Sequence, residues 1–315
     1  MNIVLLESLG VPDEVLNACA KPLIDAGHTF KAYPKDTDPK VQIERAKDAD
    51  VIMIANMPLS GEVISACPNL KYIDVAFTGV DHVDLEAAKA KGVKVSNAAG
   101  YSNEAVSELV LCMMLALLRN VPQVEARCRA GHTKDGLVGV ELMGKTVGIV
   151  GVGAIGTRTA ELCHAFGCKI LGNKRHVRGN EPDYIEFVSL EELLSRSDIV
   201  SLHCPLNEDS RGMINKDTIA KMKPGALLIN AARGPVVDSQ ALADALNSGY
   251  LGGAGIDVFE TEPPLDPAHP LLHSKNTIVT PHVAFASAES MEARCKIVFD
   301  NIAQWMDGHQ TNIIL

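Results

Sequence analysis

The sequence has no apolar run long enough to cross a membrane, no stripe of basic residues, no CxxC pair and no internal repeat or low-complexity segment. No membrane association is therefore expected. The apolar start of the chain is too short for a signal peptide, so none is expected either. The formal net charge of −10 would repel a polyanion, which argues against a nucleic-acid partner.

The eight cysteines are scattered, and most lie in apolar or helical contexts, where a cysteine behaves as a small hydrophobe. This usage favours a reducing, cytoplasmic location. At 315 residues the chain is long enough for about two domains of ordinary size. Its hydrophobic fraction of 47% and charged fraction of 22% are typical of a globular protein.

A glycine-rich turn, the GxGxxG motif at Gly151–Gly156, directly follows the strand-like run Thr146–Val150. A helical pattern from Thr157 to Phe166 and a strand candidate at Lys169–Gly172 come next, which predicts a βαβ unit. In such a unit the glycines permit a tight turn, let the backbone approach a pyrophosphate, and let helix and strand pack closely. The start of the helix offers N–H groups and a positive dipole end to the phosphates. The order of these elements favours dinucleotide binding over a purely structural turn.

Strands and helices alternate along the rest of the chain, which predicts parallel sheets with right-handed crossovers. The predicted strands outside the βαβ unit are Ile3–Leu6, Val51–Ile54, Tyr72–Ala76, Val93–Ser96, Asp198–His203, Ala226–Asn230, Ala254–Val258 and Thr277–Thr280. The first hundred residues read as a small doubly wound domain. An amphipathic helix, Ala288–Met306, is predicted near the end of the chain. The segment from Arg119 to Met143 is less periodic and is expected to form an arm or an interface.

Polar side chains follow the ends of the last three predicted strands. Arg233 comes after Asn230, Asp257 ends the next strand with Glu262 just beyond it, and His282 follows the last strand. Ligands of open α/β sheets bind at these carboxyl ends. An arginine can clamp a carboxylate, and a histidine beside a carboxylate is favoured in the protonated, proton-donating form. Each residue alone fits an ordinary loop or surface role, but their order favours a site for a 2-oxo acid.

At this point the chain resembles the D-2-hydroxyacid dehydrogenase family over nearly its whole length. The matching motifs, in order, are Gly151–Gly156, Ser201–Leu206, Lys223–Gly234, Gly255–Glu260 with Glu262-Pro263, and Thr280-Pro281-His282. The resemblance implies an α/β fold of two doubly wound parallel-sheet domains, with a Rossmann cofactor domain inserted in a flavodoxin-like substrate domain. The implied division is residues 1–99 and 284–315 for the substrate and residues 100–283 for the dinucleotide. It also implies a homodimer.

The resemblance further implies roles for individual residues. His282 would be the acid/base, Glu262 its partner, and Arg233 the substrate clamp that also polarises the carbonyl. The residues implied in cofactor binding are Gly151, Gly153, Ala154, Ile155, Gly156, Lys174, Arg175, His203, Pro205, Ala231 and Asp257, with Asp257 contacting the nicotinamide amide. The implied substrate residues are Thr78, Gly79, Val80, Tyr101 and Arg233. Tyr101 fits a packing role at a helix start equally well.

Two positions depart from the family pattern. NAD-preferring members carry an Asp at the end of the second strand, where this chain has Lys174 followed by Arg175. These cations would attract a 2′-phosphate, which predicts NADP preference over NAD. After His282, Phe285 stands in a stretch where many members have two glycines, and it would either narrow the pocket or pack the hinge.

These features predict an NADP-preferring reductase of small 2-oxo acids, of the glyoxylate or hydroxypyruvate type, with no metal. Two alternatives remain. A D-3-phosphoglycerate dehydrogenase without its regulatory domain would need basic residues near Asn56–Ser60, and that stretch has none. A dinucleotide-sensing protein, like the corepressors built on this fold, would not need the Arg, Glu and His together.

Overall fold

The structure, a computed structural model, describes residues 1–315. The chain folds as two compact units. The first unit comprises Met1–Ser102 and Ala286–Leu315, and the second comprises Asn103–Phe285. The boundaries expected from the sequence lie after residues 99 and 283. The binding role assigned to each unit stays a prediction.

All strands are parallel members of two sheets. The strands are β1 (Asn2–Leu5), β2 (Thr29–Ala32), β3 (Val51–Ile54), β4 (Tyr72–Val75), β5 (Lys94–Asn97), β6 (Thr146–Val150), β7 (Lys169–Asn173), β8 (Ile185–Phe187), β9 (Ile199–Leu202), β10 (Leu227–Asn230), β11 (Gly253–Ile256) and β12 (Thr277–Val279). The α-helices are α1 (Asp13–Asp25), α2 (Pro39–Ala46), α3 (Gly61–Ala66), α4 (Leu85–Ala90), α5 (Asn103–Leu118), α6 (Val121–Arg129), α7 (Ala154–Ala165), α8 (Leu190–Arg196), α9 (Lys216–Ile219), α10 (Ser239–Ser248) and α11 (Ala288–Met306).

The first unit has a five-stranded sheet in the order β2-β1-β3-β4-β5. This is the flavodoxin-like order, and the point at which the strand order reverses lies between β1 and β3. Strands β3 and β4 are buried along their whole length, as expected for parallel strands covered by helices on both faces. Helix α11 packs on this unit, where the Phe299 ring meets Phe30 edge-on at 5.3 Å.

The second unit has a seven-stranded sheet in the order β12-β11-β10-β9-β6-β7-β8. Starting from β6, this is the Rossmann order with one further strand at the edge, and the switch point lies between β6 and β9. The predicted fold class is therefore confirmed in both sheets. Buried apolar residues cover both faces of the second sheet, with α5 and α7 on one side and α8 and α10 on the other.

The predicted elements with strong apolar patterns match the structure closely, and the weakly patterned ones were missed. β3 and α11 have the predicted bounds. The helix predicted from Thr157 begins instead at Ala154, because its first turn runs inside the glycine motif. Strand β2 was not predicted because it is a mostly exposed edge strand.

The segment from Arg119 to Met143, expected to be a less regular connection, contains the helix α6. None of the α6 residues is buried, so the sequence has no apolar stripe from which this helix could be predicted. Val138 and Met143, farther along this segment, are large apolar side chains that are 76% and 71% exposed. The homodimer expected from the sequence stays a prediction.

No single helix is long and apolar enough to span a membrane. Helices α5 and α6 pass a length and composition test only as a pair bent by 63°, and α5 carries much of the buried core of the second unit.

A buried polar cluster ties α11 and the end of the chain to the sheet of the first unit. Asp74 on β4 is fully buried, and its Oδ1 accepts a hydrogen bond from Asn301 Nδ2 at 3.1 Å. Its Oδ2 has no hydrogen-bond partner. Asn301 Oδ1 accepts from Thr311 and Asn312, each at 2.9 Å. Burial raises the pKa of Asp74 well above its ordinary value, which favours the neutral form of this carboxyl.

Asp74 should make the stability of the protein fall as the pH rises. Its pKa is higher in the folded state than in the unfolded state, so its contribution is fully present below about pH 4 and is lost as the pH rises toward the folded pKa. Each pH unit between the unfolded-state pKa and the folded-state pKa lowers the free energy of unfolding by about 1.4 kcal/mol. We expect Asp74→Asn to be more stable than the wild type near pH 8 and to show a flatter pH dependence in urea unfolding.

The matched control is Asp300→Asn, because Asp300 is exposed and adjoins Asn301 in the sequence. This variant should leave the pH dependence of stability unchanged. If Asp74→Asn lost stability with pH in parallel with the wild type, the neutral carboxyl would be refuted.

Candidate active site

The glycine-rich turn at the end of β6 has the geometry of a phosphate-binding turn. Gly151 has φ +95°, and its N–H donates to the Asn173 carbonyl at 2.8 Å. A Cβ on Gly156 would lie 2.2 Å from the Gly151 carbonyl oxygen, so helix and turn could not pack with a larger residue. A Cβ on Gly153 would meet nothing within 4 Å. Gly153 is exposed and caps α7 without a side-chain hydrogen bond, so Ala154 and Ile155 start the helix at an open surface.

The two cations after β7 are both engaged with carboxylates. Lys174 Nζ lies 2.6 Å from Glu181 Oε1, and this pair is largely shielded from solvent. Arg175 pairs with Asp209, where both side chains are about 70% exposed. Lys174 directly follows β7, the second strand of the βαβ unit. In dinucleotide-binding folds, the side chain at this position contacts the ribose.

His203 lies directly after β9, beside the glycine turn. Its N–H donates to the Val150 carbonyl at 2.7 Å, and its Nε2 is 2.9 Å from Ser201 Oγ. Its Nδ1 is buried and has no hydrogen-bond partner. Burial lowers the pKa of His203 to about 4, so the ring is neutral near pH 7. The exposed Pro205, two residues on, accepts from Ser210 Oγ through its carbonyl at 2.7 Å.

Asp257 is a fully buried carboxylate that organises the turn after β12. Its Oδ1 accepts from Thr280 Oγ1 at 2.5 Å and from the Val283 N–H at 2.9 Å. Its Oδ2 accepts from the Ala284 N–H at 2.9 Å, and its backbone carbonyl accepts from the His282 N–H at 2.7 Å. Hydrogen bonds to a charged acceptor are the stronger kind, so this turn is firmly held. The predicted contact of Asp257 with the nicotinamide amide stays a prediction.

His282 sits in that turn with φ +55°, a conformation that few residues other than glycine adopt. Its Nδ1 lies 2.8 Å and 2.9 Å from the two carboxylate oxygens of Glu262. The His282 side chain is 12% exposed, whereas Glu262 is about half exposed. The structure therefore forms the His–carboxylate pair that the sequence predicted. Phe285 packs edge-on against the His282 ring at 5.6 Å, which places it beside the imidazole.

Arg233 lies in the loop after β10, which Asn230 fixes. Asn230 Nδ2 donates to the Arg233 carbonyl at 3.0 Å, and Asn230 Oδ1 accepts from the Ala232 N–H at 3.1 Å. Arg233 Nη1 donates to the Ala232 carbonyl at 2.8 Å. Ala231 is partly exposed in the same loop. Thus Arg233, His203, His282 and the glycine turn all lie at the carboxyl edge of one sheet.

The predicted substrate residues of the first unit lie together after β4 and β5. Thr78 is exposed, Gly79 and Val80 are partly exposed, and the Thr78 carbonyl accepts from Asn97 Nδ2 at 2.6 Å. Tyr101 is only 7% exposed and packs against Phe77 with ring centroids 6.2 Å apart. These residues belong to a different compact unit from Arg233, Glu262 and His282.

Two residues near these positions were not found from the sequence. Glu181 is separated from Lys174 by a loop whose path no pattern reveals. Arg294 on α11 is 2% exposed, donates to the Ala76 and Leu9 carbonyls, and lies 5.7 Å over the Tyr101 ring. Its burial on a mostly amphipathic helix gives no local signal, because its partners are far away in the sequence.

A nicotinamide dinucleotide fits the residues of the second unit. The open space at Gly153, the uncapped start of α7 and the buried, unpartnered Nδ1 of His203 all lie along the carboxyl edge of β6 and β9, where the strand order reverses. No group of His, Cys, Asp or Glu in the structure is arranged to hold a metal ion. Rossmann sheet, phosphate turn and His–carboxylate pair together define the class as a nicotinamide-dependent dehydrogenase.

Comparison with known proteins narrows this class. Residues 111–284 match the profile described as "D-isomer specific 2-hydroxyacid dehydrogenase, NAD binding domain". The chain is 36% identical over 286 residues to a hydroxypyruvate reductase of Blautia hydrogenotrophica, with 88% of each chain covered. It is 37% identical over 289 residues to a glyoxylate reductase of Thermofilum pendens, covering 89% of this chain and 85% of the relative.

Among solved structures, the chain is similar to an acyclic imino acid reductase, Bsp5, in complex with NADPH and D-Arg. The TM-score is 0.91, with 29% identity and 100% of both chains covered. The chain belongs to the D-isomer-specific 2-hydroxyacid dehydrogenase family, and it is an NAD(P)-dependent oxidoreductase acting on a 2-hydroxy acid or its 2-oxo counterpart.

The second and third glycines of the motif, Gly153 and Gly156, should respond differently to replacement by alanine. Gly153→Ala adds a Cβ into open space at an ordinary φ of −94°, so the fold should be kept while dinucleotide binding weakens by about tenfold or more, because the backbone approach is blocked. Gly156→Ala drives a Cβ onto a backbone carbonyl and should cost about 1–3 kcal/mol of stability. Thermal unfolding and calorimetric titration with NADP⁺ separate the two effects. Equal loss of stability in both variants would contradict this assignment.

Proposed function

We propose that the protein is an NADPH-preferring reductase of small, unphosphorylated 2-oxo acids of the glyoxylate and hydroxypyruvate class. The observation that carries the proposal is the His282–Glu262 pair on a turn held by Asp257, at the same sheet edge as the glycine turn. Names of relatives that act on these acids support the substrate class. The absence of basic residues in Asn56–Ser60 supports a substrate without phosphate.

In the proposed mechanism the chain provides a proton donor and a positive charge. The bound nicotinamide supplies the hydride. Glu262 holds His282 through Nδ1, which orients Nε2 as the nitrogen that gives its proton to the substrate oxygen. Arg233 binds the substrate carboxylate and stabilises the charge that develops on the carbonyl oxygen.

NADPH preference rests on the charge at the end of β7. NAD-type sites place a carboxylate there, which would repel a 2′-phosphate, whereas this chain places Lys174 and Arg175. Each of the two cations is paired with a carboxylate from a loop, Lys174 with Glu181 and Arg175 with Asp209.

Replacing His282 by Ala should abolish turnover while leaving dinucleotide binding nearly unchanged. General acid catalysis contributes about 10²–10⁴-fold to the rate. We therefore expect kcat for glyoxylate to fall by at least about 10²-fold. The rate is followed by NADPH absorbance, and NADP⁺ affinity by calorimetry. His269→Ala is the matched control, because His269 forms another His–Glu pair, with Glu260 at 3.1 Å, that the mechanism does not use. Turnover close to the wild type in His282→Ala would sink the mechanism.

Replacing Lys174 by Ala should reduce the preference for NADPH over NADH. Loss of one charged contact to a phosphate is worth about tenfold in the ratio of kcat/KM for the two cofactors. The exposed Lys169, at the start of the same strand, provides the control variant Lys169→Ala. A wild-type preference for NADH, or an unchanged ratio in Lys174→Ala, would refute the cofactor proposal without touching the acid–base mechanism.

A further inference from the structure

The carboxylate of Glu181 is enclosed by three donors in the loop between β7 and β8. Lys174 Nζ and the Arg178 N–H lie 2.6 Å and 2.8 Å from Oε1, and the Gly179 N–H lies 2.8 Å from Oε2. These contacts lower the pKa of Glu181 to about 2, with the Arg178 N–H and Lys174 as the main causes. The side chain of Glu181 is only 8% exposed and that of Lys174 20% exposed, so solvent screens the pair weakly.

This donor set is one that binds oxyanions. Consecutive backbone N–H groups that converge on one point form an anion-binding concavity, and an ammonium beside them adds charge. A phosphate has the same oxygen acceptors as a carboxylate and more negative charge. The loop is therefore an anion site filled by a side chain of its own chain.

The anion site lies where the 2′ position of a dinucleotide is read. Lys174 directly follows Asn173, the last residue of β7, whose carbonyl accepts from the Gly151 N–H of the phosphate turn. Dinucleotide-binding folds select between NAD and NADP at this strand end. A 2′-phosphate that reaches Lys174 therefore meets the negative charge of Glu181 on the same ammonium.

The second ion pair of this region is of a different kind. Arg175 and Asp209 are about 70% exposed, so water and salt screen their interaction and either side chain can turn away at little cost. Glu181 would lose three hydrogen bonds on leaving its site, so it is held more firmly than Asp209. Glu181 therefore determines how available Lys174 is to a ligand.

We propose that Glu181 is a built-in competitor of the 2′-phosphate, which occupies the donors of Lys174, Arg178 and Gly179 and so limits the preference for NADP(H). The proposal rests on the proposed function, in which Lys174 favours the phosphorylated cofactor. When NADP(H) binds, the Glu181 carboxylate leaves these donors and the phosphate takes at least the ammonium. NAD(H), which lacks the phosphate, binds with Glu181 in place.

The test is the affinity of Glu181→Gln for NADP⁺ and for NAD⁺, measured by calorimetry without substrate. Gln keeps the size of the side chain and removes its charge, so Lys174 becomes available. We expect NADP⁺ to bind about tenfold tighter and NAD⁺ to change less than about twofold. Asp183→Asn is the matched control, because it removes an exposed carboxylate from the same loop. It should leave both affinities unchanged.

A double variant separates competition from support of the loop. In Lys174→Ala/Glu181→Gln the gain in NADP⁺ affinity should be much smaller than in Glu181→Gln alone, because the cation that Glu181 masks is gone. Glu181→Ala should act in the same direction as Glu181→Gln. Unchanged or weaker NADP⁺ binding in both single Glu181 variants would overturn the proposal and would assign Glu181 the role of holding Lys174 in place.

The same titrations distinguish this proposal from the cofactor proposal beneath it. If Lys174→Ala weakens NADP⁺ binding and the Glu181 variants do not strengthen it, only the competition is overturned. If the wild type binds NAD⁺ tighter and Lys174→Ala changes neither affinity, the NADP preference itself fails, and the role of Glu181 fails with it.

Discussion

The buried carboxylate of Asp257 is the contact on which the active-site geometry depends. It accepts three hydrogen bonds from the turn that carries His282, and its own carbonyl accepts a fourth from the His282 N–H. A charged acceptor in the interior is costly unless its donors are in place, so β11 and the turn must form together. The unfavourable φ of His282 is kept for the same reason, because the hydrogen bonds on both sides fix the backbone there.

The two ends of the cofactor site use different physical means. At the glycine turn the fit to a phosphate comes from the absence of side chains, since a Cβ on Gly156 would clash with the Gly151 carbonyl and Gly153 faces open space. At the end of β7 the proposed selection of a 2′-phosphate rests on charge, and the charge of Lys174 is already balanced by Glu181. In this proposal the backbone of the glycine turn accommodates the dinucleotide, whereas a few side chains at the end of β7 select between NAD(H) and NADP(H).

Much of the fold, and the contact between His282 and Glu262, could be predicted from the sequence, whereas the roles of the site residues stay predictions. A buried strand such as Val51–Ile54 and an amphipathic helix such as Ala288–Met306 carry their own patterns. The His282–Glu262 pair was found because each residue follows a strand of the same sheet. What the sequence could not show depends on contacts far along the chain or on loop paths: the Glu181 partner of Lys174, the donors around Asp257, and the burial of Arg294 and Asp74.

The order of synthesis has a consequence for the first unit. A ribosome makes β1–β5 first, then the whole of the second unit, and only afterwards α11, although α11 packs on the sheet that was made first. Until Asn301 arrives, the Asp74 carboxyl lacks its hydrogen-bond donor, and the apolar surface that Phe299 covers has no partner. The second unit is continuous in sequence, so its sheet can be completed before α11 is synthesised. The sheet that is synthesised first is thus the last to receive all of its packing partners.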